Sequence, residues 1–338
     1  MIAEPPPPPP QVSSPLHWAG WGIGLLALLA VIAVAAHLGD IERFMGLLRS
    51  LSPAWLLLAL LLQLGTYASV AFTWRYGLRL VGCPLPLRRL MPLALAKLFV
   101  DQTVPTGGIS GSAFLVAALA RQGVPPSACL ASLLATLVGH YAAYLLAASA
   151  AAGLLAMAHQ ARAWMAGLFA LFALVSLAIP LGVLALRRYG RLEPRWLRRI
   201  PGAAALLEAT GKAPLTLVRR PAVLAVMTGW SLAVIVLDAA TLWGMLHALG
   251  LHTPARVAFP SFLLAMMVAT VGPIPLGLGS FEAACVAALT LQGVPIEGAL
   301  AATLLLRGCT TWLPMPPGLF LARRELRMRR AGGVRGPA

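Results

Sequence analysis

Two apolar stretches, residues 88–123 and 256–293, are each long enough to cross a hydrocarbon core twice, yet each is broken near its middle by proline and glycine. The breaks read VPTGGISGS from Val104 to Ser112 and GPIPLGLGSFE from Gly272 to Glu282. A helix cannot run through such a segment, because proline removes a backbone donor and glycine weakens the helical backbone. In lipid each freed polar group costs on the order of several kcal/mol, so a break is tolerated only where protein or a water-filled cavity surrounds it. Both stretches therefore read as re-entrant hairpins, two half-helices meeting at a tip inside the protein. Pro105, Gly107 and Gly108 stand at the first tip, and Pro275, Gly277 and Gly279 at the second.

The two regions match each other at an offset of 170, with 15 identities in the 30 positions from Pro105 to Leu134. Alanine and leucine coincidences carry little weight in so apolar a chain, but the shared Pro-x-Gly-x-x-Ser and Gln-Gly-Val-Pro do. Just upstream, Pro86, Arg88 and Pro92 recur as Pro254, Arg256 and Pro260 at an offset of 168. The repeated unit is a span, a hairpin and another span: about 55–155 for the first copy and about 222–320 for the second.

The rest of the chain fits a membrane protein. It is 59% hydrophobic and 11% charged over 338 residues, against roughly 25% charged in an average soluble domain. Residues 1–17, with Pro5 to Pro10 unbroken, are expected to form a disordered tail, and the transmembrane domain is expected to cover 18–325. Spans are expected at about 18–38, 55–74, 127–155, 164–186, 222–249 and 298–320, each long enough for a core about 30 Å thick. The fold class is an all-α polytopic membrane protein with about six full spans and two re-entrant hairpins.

The formal charge of +16 would suggest nucleic acid in a soluble chain. Here it is vectorial. With the amino terminus in the cytoplasm, residues 75–89, the basic loop 187–220 and the tail from 321 hold 4, 9 and 6 Lys or Arg, nineteen in all, while the other side receives only Arg43, Arg49, Arg162 and Arg256. This is a positive-inside signal for a bacterial cytoplasmic membrane protein with both termini inside. The first hairpin then enters from the cytoplasm and the second from outside, an inverted repeat of the kind that alternating-access transporters use.

Charges within the apolar regions need a reason, since each costs about 2.5–3.5 kcal/mol at a helix centre. Lys97 and Asp101 are one turn apart and either neutralise each other or meet a substrate. Asp238 has no local partner; it faces a polar cavity or pairs with Arg75 or Lys97. Glu282, in the first turn after the second tip, suits a helix N-terminus. Arg307 is expected to pair with it or to hold a lipid phosphate, and the planar guanidinium fits either. His140 and Tyr141 read as packed, hydrogen-bonded residues rather than ligands. Cys83, Cys129, Cys285 and Cys309 lie singly, without metal-ligand or disulfide spacing. No catalytic constellation, metal cluster or nucleotide loop is present in the sequence, so no enzymatic activity, metal or cofactor is expected.

The second tip and its sequel, PIPLGLGSFEAACVAALTLQGVPIEGALAATLLLRG, resemble a signature of the lysylphosphatidylglycerol synthase transmembrane-region family, also called flippase-like membrane proteins. The first tip, VPTGGISG followed by LARQGVP, resembles that family's other signature. The resemblance runs from about residue 18 to 325 and places Glu282 and Arg307 on the acid and arginine of the second motif. The first tip departs from the commoner pattern, an acid and a basic residue after the glycines; Gly111 and Ser112 stand there instead. In the aminoacyl-phosphatidylglycerol synthases a soluble synthase domain follows the membrane region. No such domain is expected here, so the resemblance implies lipid handling without aminoacyl transfer, with a hopanoid or glycolipid association among the sub-assignments it allows.

The leading expectation is a flippase or exporter of a polar or polyprenyl lipid, its head group held between the hairpin tips by Arg307 and Lys97. The alternative is a non-catalytic accessory of a lipid-modifying, glycosyl-transferring or hopanoid pathway, docking through loop 187–220. Membrane lipids, anionic or polyprenyl-linked, are the expected partners, nucleic acid is not, and a homodimer is left open.

Overall fold

The computed structural model describes residues 51–103, 108–157, 163–189, 215–272 and 277–332, with Gly46 and Arg49. The proline-rich tail, the first expected span at 18–38, Pro105, Gly107, Pro275, most of loop 187–220 and the last six residues of the basic tail lie outside the described residues.

The described secondary structure is helical, without a strand. In chain order the helices are α1 (Pro53–Leu80), α2 (Leu87–Thr103), α3 (Ile109–Ala120), α4 (Pro126–Met157), α5 (Ala163–Tyr189), α6 (Pro221–Ala248), α7 (Ala255–Val271), α8 (Ser280–Leu291), α9 (Ile296–Arg307) and α10 (Met315–Gly332). Among them α1, α4, α5 and α6 are long and apolar enough to cross a membrane. Each matches an expected span to within a few residues, except that α1 continues six residues past Trp74.

The stretch expected as one span at 298–320 is not one helix. Helix α9 stops at Arg307, a π turn follows over Gly308–Trp312, and α10 starts at Met315. The cause is local. Pro314 has no N–H, and its ring would strike the carbonyl one turn earlier. The backbone widens ahead of it, and Leu313 N–H reaches back five residues to Gly308 O at 2.7 Å.

Both Gly/Pro breaks fall between short helices packed on each other, α2 with α3 and α7 with α8. The two pairs have the same lengths, 17 and 12 residues. They also end alike. Gly123 and Gly293 sit at φ 84° and 89°, where a side chain is strained, and the next N–H closes back on the helix: Val124 to Leu119 O at 3.2 Å and Val294 to Leu289 O at 3.1 Å. This is a Schellman closure, in which the residue after the glycine also packs on the helix. Accordingly Val124 and Leu119 are buried together, as are Val294 and Leu289. The sequence Gln-Gly-Val-Pro is thus a helix stop followed by a proline that cannot extend it.

Helices α1, α4 and α6 form the frame between the pairs. They approach closely because small residues face each other: a Cβ on Gly139 of α4 would lie 3.0 Å from Met227 Cβ and Thr228 N of α6. Membrane helices gain from such contact because lipid offers no hydrophobic drive to associate. Among the described residues, two buried clusters are the largest. One joins α1, α2, α3 and the start of α4 around Trp74, Leu90 and Leu115. The larger joins α6, α7, α8 and α9 around Leu242, Phe262 and Leu306.

Candidate functional site

Helix α8 begins at the second break, so its first N–H groups have no partner within the helix. Glu282, its third residue, fills that need: Oε2 accepts the Gly279 N–H at 2.7 Å. Its other oxygen, Oε1, accepts from Arg307 Nε at 2.6 Å. Glu282 is 2% exposed and Arg307 17%, so the pair is withdrawn from solvent. Arg307 closes α9, and its guanidinium also reaches Gly277 O and Thr311 Oγ1, each at 3.4 Å. It stands 4.7 Å from the Phe281 ring centroid. The pairing expected from the sequence forms, and Thr311, four residues on, lies on the same face as the arginine.

The first break is organised by a similar acid–cation pair from different positions. Lys97 Nζ donates to Asp101 Oδ2 along α2, and Asp101 Oδ1 accepts the Gly111 N–H at 3.0 Å. Gly111 is the third residue of α3, so the acid that caps the second helix of the pair comes from the first helix. Ser112, which stands where Glu282 stands in the second copy, donates instead to Gly108 O at 2.7 Å. The absence of an acid after the first glycines is therefore compensated across the break. Gly111 is required there: a Cβ would overlap the Asp101 carboxylate.

Asp238, in the middle of α6, is bound by neutral donors from α1. Gln63 Nε2 donates to its Oδ1 at 2.9 Å and Thr66 Oγ1 at 3.3 Å. Gln63 also donates to Thr241 Oγ1 at 3.0 Å. The pairings with Arg75 or Lys97 do not form: Arg75 is exposed and Lys97 is held by Asp101. One residue on from Thr66, Tyr67 donates to Cys309 O at 3.4 Å, linking α1 to the π turn beside Arg307. His140 packs with Tyr141, Tyr144 and, through Tyr144, Phe172 in a ring cluster. Among the described residues no group of His, Cys, Asp and Glu could hold a metal ion.

A family model described as the lysylphosphatidylglycerol synthase TM region matches residues 21–318. The chain belongs to the lysylphosphatidylglycerol synthase TM region family. No curated protein matches it. Membership makes it a membrane lipid-related protein, and with its apolar helices a multi-pass membrane protein.

In this member of the family the candidate residues form three sets: Glu282 with Arg307, Lys97 with Asp101, and Asp238 alone. None of the partners named for one set belongs to another. Gln63, Thr66, Thr241, Thr311 and Gly111 are contributors that sequence reasoning missed. Gln63 and Thr66 carried a signal, two polar residues three apart on one face of an apolar span. Gly111 carried none, because its role depends on a carboxylate ten residues away across a break.

Proposed function

We propose that the chain is a flippase or exporter of a lipid with a polar or polyprenyl-linked head group in a bacterial cytoplasmic membrane. The observation that carries the reading is the Glu282–Arg307 pair at the second break. Helix α9 has 12 residues, which at 1.5 Å per residue puts Arg307 roughly 18 Å from its start, close to the middle of a core about 30 Å thick. Lys97, the eleventh residue of α2, lies at a similar depth by the same measure. A guanidinium and an ammonium held near the midplane by carboxylates match the need of a phosphate-bearing head group for a partner midway.

The sequence repeat, the equal helix lengths and the charge asymmetry support two re-entrant hairpins inserted from opposite sides, the inverted arrangement in which alternating access places its site. Exchange is the mechanism: the head group's anion competes with Glu282 for Arg307, while the lipid tails stay in the bilayer. The fork of arginine holds either partner in the same geometry, so the switch requires little rearrangement. The chain contributes no covalent chemistry, and its energy source is an ion gradient or mass action.

The test is head-group translocation by purified protein in liposomes made with phosphatidylglycerol. Glu282→Ala and Arg307→Ala together are expected to abolish movement; unchanged movement in the double variant would reject the site.

A further inference from the structure

Away from the breaks, a cavity of about 640 Å³ opens where the start of α2, the end of α3 and helix α10 meet. Its walls carry Arg88, Arg89, Arg121 and Arg324 against a single acid, Glu325. That acid is engaged by Arg121, whose Nη2 lies 2.9 Å from Glu325 Oε2. No carboxylate among the described residues pairs with Arg88, Arg89 or Arg324. Three guanidiniums thus share one concave site, their repulsion uncompensated by any acid among the described residues. Arg88 and Arg89 are in the first turn of α2, where the helix dipole adds positive potential and no acidic residue offsets it.

Only part of this cluster recurs in the second copy, where Arg256 stands at the position of Arg88. The second helix pair is built with Val257 at the position of Arg89 and Leu291 at the position of Arg121. A second contrast points the same way. In the second pair Gln292 Nε2 donates to Ser261 Oγ at 2.7 Å, tying α8 to α7. In the first pair Leu93 stands at the position of Ser261, so Gln122 lacks that tie and stands in the cavity wall; its amide oxygen, like that of Gln292, is buried without a partner.

We propose that this cavity is a binding site for a phosphate-bearing ligand, separate from the Glu282–Arg307 pair. Forked guanidiniums facing one space match the oxygens of a phosphate mono- or diester, each able to bind two of them. The ligand's phosphate neutralises the cluster, and the unpartnered Gln122 amide meets a hydroxyl beside it. Such a phosphate is carried by an anionic lipid head group or by a soluble phosphate compound, and the site lies on the face bearing the basic excess.

The test uses the full chain in nanodiscs of phosphatidylcholine, with two probes. Inorganic pyrophosphate binding is followed by calorimetry, and phosphatidylglycerol retention by native mass spectrometry. Arg89→Gln with Arg324→Gln is expected to weaken whichever probe binds by at least about tenfold, since each lost charge-assisted contact is worth a factor of that order. Arg89→Lys, which keeps the charge and loses the fork, guards against a folding defect and should weaken it by several-fold. Arg219→Gln with Arg220→Gln removes equal charge elsewhere and should leave binding within twofold.

Retention of phosphatidylglycerol alone would assign the lipid source, and pyrophosphate alone the soluble one. Saturable binding of neither probe, or equal losses in the two double variants, would overturn the site. The readout is binding, so the result is independent of whether the chain moves lipid.

Discussion

Asp101 Oδ1 accepts the backbone N–H of Gly111 at 3.0 Å, so a carboxylate on one short helix closes the first turn of the next. The same carboxylate takes up the charge of Lys97. One side chain therefore meets a helix-terminal donor and a cation that lipid would otherwise leave exposed.

Gly111→Ala should cost about 2 kcal/mol, because the new methyl displaces the carboxylate and the capped N–H loses its partner. Ser112→Ala, next in the chain, removes only a hydroxyl bonded within its own helix and should cost under about 1 kcal/mol. Unfolding midpoints in detergent check the order; equal stability of the two variants would remove the argument.

The Glu282–Arg307 pair predicts strong coupling. Removing either partner strands the other charge in a site nearly closed to solvent, a loss of about 3–5 kcal/mol. Removing both strands neither, so the double alanine variant should be more stable than the sum of the singles implies, by about 2 kcal/mol. A double-mutant cycle on unfolding measures this directly, and additive losses would mean that the pair contributes nothing as a pair.

Gly123 and Gly293 should respond alike. Both hold left-handed backbone at equivalent helix ends, and open space surrounds each missing Cβ. The penalty of alanine is then conformational only, about 1–2 kcal/mol in each copy. A large difference between Gly123→Ala and Gly293→Ala would show that the two turns are not equivalent.

Orientation can be read from the two ends of α6. Its 28 residues span roughly 42 Å at 1.5 Å each, so Arg219 and His252, both exposed, belong to opposite sides. In a background freed of the four native cysteines, His252→Cys should react with an impermeant maleimide in intact cells. Arg219→Cys should react only after permeabilisation. The reverse pattern would invert the topology.

The long helices were legible from length and apolarity alone, because a span must satisfy its own backbone and needs no partner to be recognised. Both breaks were legible for the same reason in reverse: single prolines such as Pro92 and Pro260 are carried within helices, but proline clustered with several glycines cannot be. The stretch at 298–320 misled, since its apolarity continues through Pro314 while its backbone does not. The Glu282–Arg307 pair was readable from charge economy, as an isolated acid and an isolated base in apolar sequence need each other.

Sequence by itself determined that the chain is helical and apolar, where four long helices lie to within a few residues, and which segments repeat, because these follow from backbone satisfaction and local composition. Only the tertiary structure decided that Asp101 reaches Gly111, that Gln63 and Thr66 meet Asp238 from 175 and 172 residues away, and that arginines from α2, α10 and the end of α3 face one cavity. Such contacts depend on how helices pack, and in a chain this apolar nearly every helix face looks alike until its neighbour is in place.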